Sequence, residues 1–198
     1  MAGVTEIGWV LQWRSAALST LFEYLDQKRQ ALLERRARIA DGRLGPVSLK
    51  ASATAEGRSG VRRIRVRDFQ VLTDSPPDFA GYDLGPSSPE LQLGVLGSCL
   101  NHSYLIQAAA LEVPIDSIEV EVEAVLDPRA LSVGFESTPV YPQNISYVVK
   151  IESSAPEARI EQLRAAVERA CPILNLLKNP QTIAGRVALA RPIAIAAE

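Results

Sequence analysis

At 198 residues, 47% hydrophobic and 22% charged, the chain has the composition of an ordinary globular protein with enough apolar surface to fill a core. A net charge of −2 supplies no basic field, so nucleic acid and anionic lipid are not indicated as partners. No stretch of about 18 residues is apolar enough for a membrane span, and two cysteines are too few for a disulfide scaffold.

The N-terminal segment "MAGVTEIGWVLQWRSAALS" lacks the basic start and long apolar core of a signal peptide. The expectation is a cytoplasmic protein whose cysteines rest reduced. Residues 15–41 follow as a helix, with Leu18, Leu21, Phe22, Leu25, Leu32, Leu33 and Ile39 mostly on one stripe. The runs "QKRQ" and "ERRAR" read as its solvated face, and Gly42 ends it by accepting the left-handed conformation. Residues 1–46 are taken as an N-terminal helical extension and residues 47–198 as the main domain.

From Val47 to Thr73 the period changes to two. "VSLKASATA" and "VRRIRVRDFQVL" flank "EGRSG", a turn signal that predicts a hairpin. Ile64 and Val66 face one way and Arg63, Arg65 and Arg67 the other. "SIEVEVEAVLD" is the complement, with Ile118, Val120 and Val122 alternating with Glu119, Glu121 and Glu123. Arginine and glutamate faces on strands of one sheet could form cross-strand ion pairs.

Residues 87–111 read as a central helix, with Ser88 as N-cap, Pro89 as first helical residue and Glu90 at the positive helix start. After Gln92 the next nine positions are uncharged, which predicts burial on nearly every side. A strand at "NISYVVKIES" leads to a second helix, opened by a capping-box spacing from Ser154 to Glu157. Its inner stripe is Ile160, Leu163, Val167 and Cys171, and Pro172 ends it. A last strand is expected at "GRVALA". This order, without regular βαβ alternation, is α+β.

Cys99 lies inside the central helix, three positions before His102, the single histidine. Two cysteines and one histidine without a CxxC fall short of a zinc site, so no metal is expected. No cofactor is expected either. A Cys99–His102 dyad for acyl transfer or hydrolysis is possible because residues three apart are helix neighbours. Side chains at that spacing lean the same way, however, and no third group orients the histidine. Two inert buried thiols are the reading these residues favour by themselves.

"SPELQLGVLGSCLNH", followed far downstream by "ACPILN", resembles the OsmC/Ohr family of osmotically inducible and organic hydroperoxide resistance proteins. That family carries a first cysteine on a buried helix and a second in Cys-Pro-x-x-Asn, here Cys171 to Asn175. "ATAEGRSG" resembles the turn where the Ohr branch keeps a catalytic arginine, which falls on Arg58, and "DFQVLTDSPPDFAGYDLGPSSPE" resembles the segment between hairpin and helix. Roughly residues 47–190 are covered, leaving the N-terminal helix outside. The resemblance implies antiparallel sheets around long buried helices in an intertwined homodimer with active sites at the interface. It also implies a thiol peroxidase in oxidative-stress defence. Cys99 would reduce an organic, fatty-acid-like hydroperoxide and become a sulfenic acid, and Cys171 would resolve it as a disulfide. A dithiol, such as a lipoylated protein, would reduce that disulfide. Arg58 would hold Cys99 ionised and Glu90 would hold Arg58.

Glu90 lies nine residues before Cys99, where the Ohr and OsmC branches generally have ten. Along one continuous helix nine steps put the two Cα atoms about 13.5 Å apart on opposite sides, so Glu90 would have to come from the partner copy. The alternatives are an OsmC-like dimer with a changed substrate, either the Cys99/His102 enzyme or a non-enzymatic binder of apolar ligands.

Overall fold

The computed structural model describes residues 7–189, with side chains from residue 21 onward. The N-terminal helix α1 runs Ile7–Ala40, starting earlier than its apolar stripe suggested. Gly42 ends it with φ 69°, while Gly42 and Arg43 donate back to the carbonyls of Ile39 and Arg38. This pair of reverse hydrogen bonds is the Schellman ending, which a left-handed glycine permits. Leu25 is buried and Leu21 and Leu32 pack on the core, whereas Phe22, Leu33 and Ile39 stay exposed. The side chain of Leu18 lies outside the described residues.

The expected hairpin is a three-stranded antiparallel sheet of β1 (Ser52–Ala55), β2 (Arg62–Val66) and β3 (Phe69–Thr73). Its first turn falls at "EGRSG", with Gly57 at φ 57°. The second is a two-residue turn at Arg67 and Asp68, which splits the expected long second strand. Arg67 takes φ 55° there and leaves the arginine face. None of this sheet joins the main hydrophobic cluster, and Val66, Phe69, Val71 and Leu72 lie open.

After β3 the chain folds around one carboxylate. Asp74 is 1% exposed and accepts hydrogen bonds from the amides of Ser75, Tyr82 and Leu84. Those amides, Ser75 first, and the nearby Arg62 hold its carboxyl below the usual range. Gly81 makes the loop possible, since a Cβ there would sit 1.7 Å from the Ser75 carbonyl oxygen.

Helix α2 (Ser88–Leu111) is the centre of the molecule. Its N-cap is Ser87, one residue before the expected Ser88, because Ser87 and Glu90 form a capping box that fixes Glu90 at the third helical position. Leu96, Leu100, Tyr104 and Ala108 form the buried stripe, joined by Leu163 and Val167 of α3 (Glu157–Ala170) and Leu174 of α4 (Pro172–Lys178). Each fully buried leucine contributes about 2 kcal/mol of transfer free energy. On another side α2 meets a ribbon of β4 (Ser117–Val125) and β5 (Gln143–Glu152) through Ile118, Val120, Val122, Tyr147, Val149 and Ile151. Gly97 allows the approach, since a Cβ there would lie 3.3 Å from Val122.

Four expectations are corrected. Helix α2 is not enclosed on nearly every side, because within one chain Gly94, Val95, Ser98 and His102 face solvent. The arginine and glutamate strands belong to two separate sheets. Arg63 therefore pairs with Glu56, and Glu119 and Glu121 pair with Lys150. Helix α3 starts from Pro156 without a side-chain cap, so Glu157 is its first residue rather than its third, and Ser154 stands two positions before the cap, out of register for a capping box. Residues 185–189 form no strand; Val187 and Leu189 are exposed, and Ala190, the last of "GRVALA", lies outside the described residues.

Candidate active site around two cysteines

Helix α3 ends where it does because proline has no amide hydrogen. In a continuing helix the amide of residue 172 would bond the Glu168 carbonyl, and Pro172 cannot. The side chain of Asn175 supplies the missing donor instead. Its amide nitrogen lies 3.1 Å from the Glu168 oxygen, 3.4 Å from that of Arg169 and 2.8 Å from that of Cys171. The chain thus breaks and restarts at Cys171, which closes α3 and serves as the N-cap position of α4. The break also releases the Ile173 amide from helical bonding, and it donates to Cys99.

The two cysteines meet at this junction. Their sulfurs lie 3.5 Å apart, unbonded, although the residues are 72 positions apart in the chain. Cys171 is completely enclosed, whereas Cys99 is half-buried. The open side of Cys99 faces a groove of about 420 Å³ lined by Leu91, Gly94, Val95, Ser98, Cys99 and His102. The arrangement is a front thiol that can meet a ligand and a back thiol that can meet only the front one.

Burial pushes the Cys99 thiol up from its ordinary pKa, and the neighbouring Cys171 sulfur adds to this. The Ile173 amide and the Ser103 hydroxyl, which donate to the sulfur, act in the opposite direction. Among the described residues no cation contributes to this balance.

Arg58 and Glu90 are not brought to Cys99 within one chain. Arg58 is exposed in the β1–β2 turn, on a sheet that stands apart from the helices. The Glu90 carboxylate accepts from the Ser87 amide at 2.7 Å, and the Ser87 side chain first and that amide second hold its pKa down. Glu90 and Cys99 lie on one unbroken helix, so Glu90 cannot reach the thiol of its own chain.

His102 shares the groove with Cys99 but makes no hydrogen bond to it. Its Nε2 lies 3.3 Å from the ammonium of Lys28 on α1. An ammonium only donates, so Nε2 is the acceptor and the ring is neutral. Burial and, secondarily, the Lys28 charge lower the His102 pKa. The lone pair that a Cys–His mechanism needs is therefore engaged elsewhere.

Three contributors went unassigned in the sequence: Asn175, Ser103 and Lys28. Asn175 stands in the quoted "CPILN", where the proline's missing donor is the signal for it. Ser103 is one helical turn after Cys99. Lys28 falls on the stripe Leu21, Leu25, Leu32 rather than on the solvated face. Among the described residues no group of three or more His, Cys, Asp or Glu could hold a metal ion, and no helix is long and apolar enough to cross a membrane.

The family model for OsmC-like proteins matches residues 81–184, more than half of the chain. The chain belongs to that family. Among solved structures, an OsmC-like protein from Mycoplasma pneumoniae aligns with a TM-score of 0.57 at 18% identity, covering 68% of this chain and 89% of its own. A candidate osmotic stress induced and detoxification response protein from Psychrobacter arcticus 273-4 aligns at 0.53 and 16% identity, covering 67% and 89%. An OsmC-like protein of unknown function from Vibrio cholerae aligns at 0.50 and 12%, covering 66% and 93%. At such identities the likeness is one of fold: the OsmC-like fold, α+β with antiparallel sheets and here an N-terminal helix. No curated protein matches the chain. Both cysteines, together with Glu90, His102 and Asn175, fall inside the OsmC-like match, while Arg58 and Lys28 precede it.

Proposed function

We propose that the chain is a dithiol peroxidase for organic hydroperoxides. The observation that carries this reading is the 3.5 Å separation of an accessible and an enclosed sulfur. The Cys99 thiolate attacks the O–O bond of ROOH, and with one proton gives ROH and a sulfenic acid on Cys99. The Cys171 thiol then displaces hydroxide, which leaves as water, and forms the disulfide. A disulfide bond is about 2.05 Å long, so the sulfurs approach by only about 1.5 Å. Resolution at such close range spares the sulfenate from further oxidation. A dithiol, for example a lipoylated partner protein, returns both cysteines to thiols.

The same reading uses a homodimer. The unpacked β1–β3 sheet, with its exposed Phe69 and Val71, is an apolar surface that a second copy would cover. The arginines of β2 complement the glutamates of β4 in charge. The partner would bring Arg58 and Glu90 toward Cys99, supplying the cation that burial demands, across an interface of over about 2,000 Å² in total.

Titration with an organic hydroperoxide tests the proposal. The expected result is loss of both thiols, a mass lower by two hydrogen atoms, and a Cys99–Cys171 peptide crosslink. A Cys99 that ends only as sulfonic acid beside a free Cys171 would refute resolution, and two unreacted thiols would favour an apolar-ligand binder.

A further inference from the structure

Lys28 is out of place for a surface lysine. Helix α1 packs on α2 through Leu21, Leu25 and Leu32, and Lys28 occupies the position between the last two on that inward stripe. Its ammonium reaches His102 at 3.3 Å and lies 5.1 Å from the centre of the Tyr24 ring. Among the described residues no carboxylate pairs with it, although its neighbour Arg29 pairs with Glu112 at 2.7 Å. An ammonium held by a neutral imidazole and an aromatic face keeps an uncompensated positive charge.

That charge reaches the Cys99 groove through His102. His102, which it touches, lines the groove one helical turn beyond Cys99, about 4.5 Å further along the α2 axis. In the opposite direction the groove wall is Val95, Gly94 and Leu91. A ligand along this face would meet a cation at one end, the thiol next and apolar surface beyond. Helix α1 precedes the residues matched by the OsmC-like model, so this cation comes from the extra helix.

We propose that Lys28, supported by His102, is an anion subsite that selects substrates carrying a carboxylate. The substrate class is then an amphipathic organic hydroperoxide whose ionised carboxylate binds Lys28 while its peroxide faces Cys99. This rests on the peroxidase reading of the same groove. A charge-assisted hydrogen bond to the ammonium is the discriminating contact.

The test compares a fatty-acid hydroperoxide with its methyl ester, which lacks the charge and carries one extra methyl group. In the wild type kcat/KM is expected to favour the acid by about tenfold, as charge-assisted contacts typically do. Lys28→Gln should bring the acid-to-ester ratio near one, Lys28→Arg should keep the preference, and the remote exposed Lys50→Gln should leave the ratio as it is. A ratio in Lys28→Gln equal to that of the wild type overturns the proposal. Should no hydroperoxide be reduced, dodecanoate and methyl dodecanoate serve as unreactive probes, read by protection of Cys99 from iodoacetamide. Protection by dodecanoate alone, lost in Lys28→Gln, sustains the subsite without the peroxidase. Equal protection by both, or by neither, overturns it.

Discussion

Replacing Asn175 with alanine isolates the break that brings the sulfurs together. The side chain has two N–H donors and serves three carbonyls, those of Glu168, Arg169 and Cys171. Only two of these bonds can be well made at once. Two net hydrogen bonds at about 1 kcal/mol each predict a loss of about 2 kcal/mol, shared between global stability and the local order of the α3–α4 junction. Because Pro172 offers no substitute donor, the Glu168 carbonyl must turn to water, and Cys171 shifts with it. First oxidation of Cys99 in Asn175→Ala should slow less than disulfide closure, since its groove and Ser103 are unchanged and only the Ile173 amide at the junction is disturbed. Disulfide closure should slow by about tenfold or more, the equivalent of about 1.4 kcal/mol. Mass spectrometry after a peroxide pulse would then find sulfinic acid on Cys99 where the wild type holds a disulfide. A variant that closes the disulfide at the wild-type rate would show that Asn175 does not position Cys171.

Cys171→Ser should stop at the sulfenic acid after one equivalent of peroxide, as a dimedone adduct on Cys99 would show, and pass to sulfinic acid only with a second equivalent. Arg58→Ala should slow peroxide reduction by about one to two orders of magnitude and raise the pH at which Cys99 alkylates, if the partner's arginine offsets its burial. Asp74 has a depressed folded pKa, so its stabilisation is present at neutral pH and fades as pH falls below about 4 toward the folded value. Urea midpoints of wild type and Asp74→Asn should therefore differ at pH 7 and draw together as the pH falls below the ordinary carboxylate range. Gly81→Ala should unfold the 75–85 loop, seen as new proteolytic cleavage there, because its Cβ has no room beside Ser75.

Much of the fold was legible because its signals are local. Alternation in "SIEVEVEAV" marks β4, and the serine, proline and glutamate before the uncharged run mark the start of α2 to within one residue. What escaped depends on competition between neighbours. Ser87 and Ser88 both suit an N-cap, and only Ser87 has Glu90 three positions on. The turn at Arg67 carries no glycine, so "VRRIRVRDFQVL" reads as one strand. Of the site, the residue types at positions 99 and 171 are visible, but their meeting at 3.5 Å depends on how α3 breaks. Lys28 shows the same limit from the other side: "QKRQ" reads as solvent-facing until α2 is seen to pack against it.

The unequal enclosure of the two sulfurs also imposes a direction on the return to the reduced state. In an oxidised chain an incoming thiolate can approach only the Cys99 sulfur, because Cys171 is sealed behind Leu100, Leu163, Val167 and Leu174. The mixed disulfide must therefore form on Cys99, and Cys171 must be the leaving group. A thiolate expelled into apolar surroundings is costly, so a proton has to accompany its departure. Reduction should then favour a slender dithiol, whose second sulfur releases Cys99 without a second encounter, over a bulky monothiol such as glutathione.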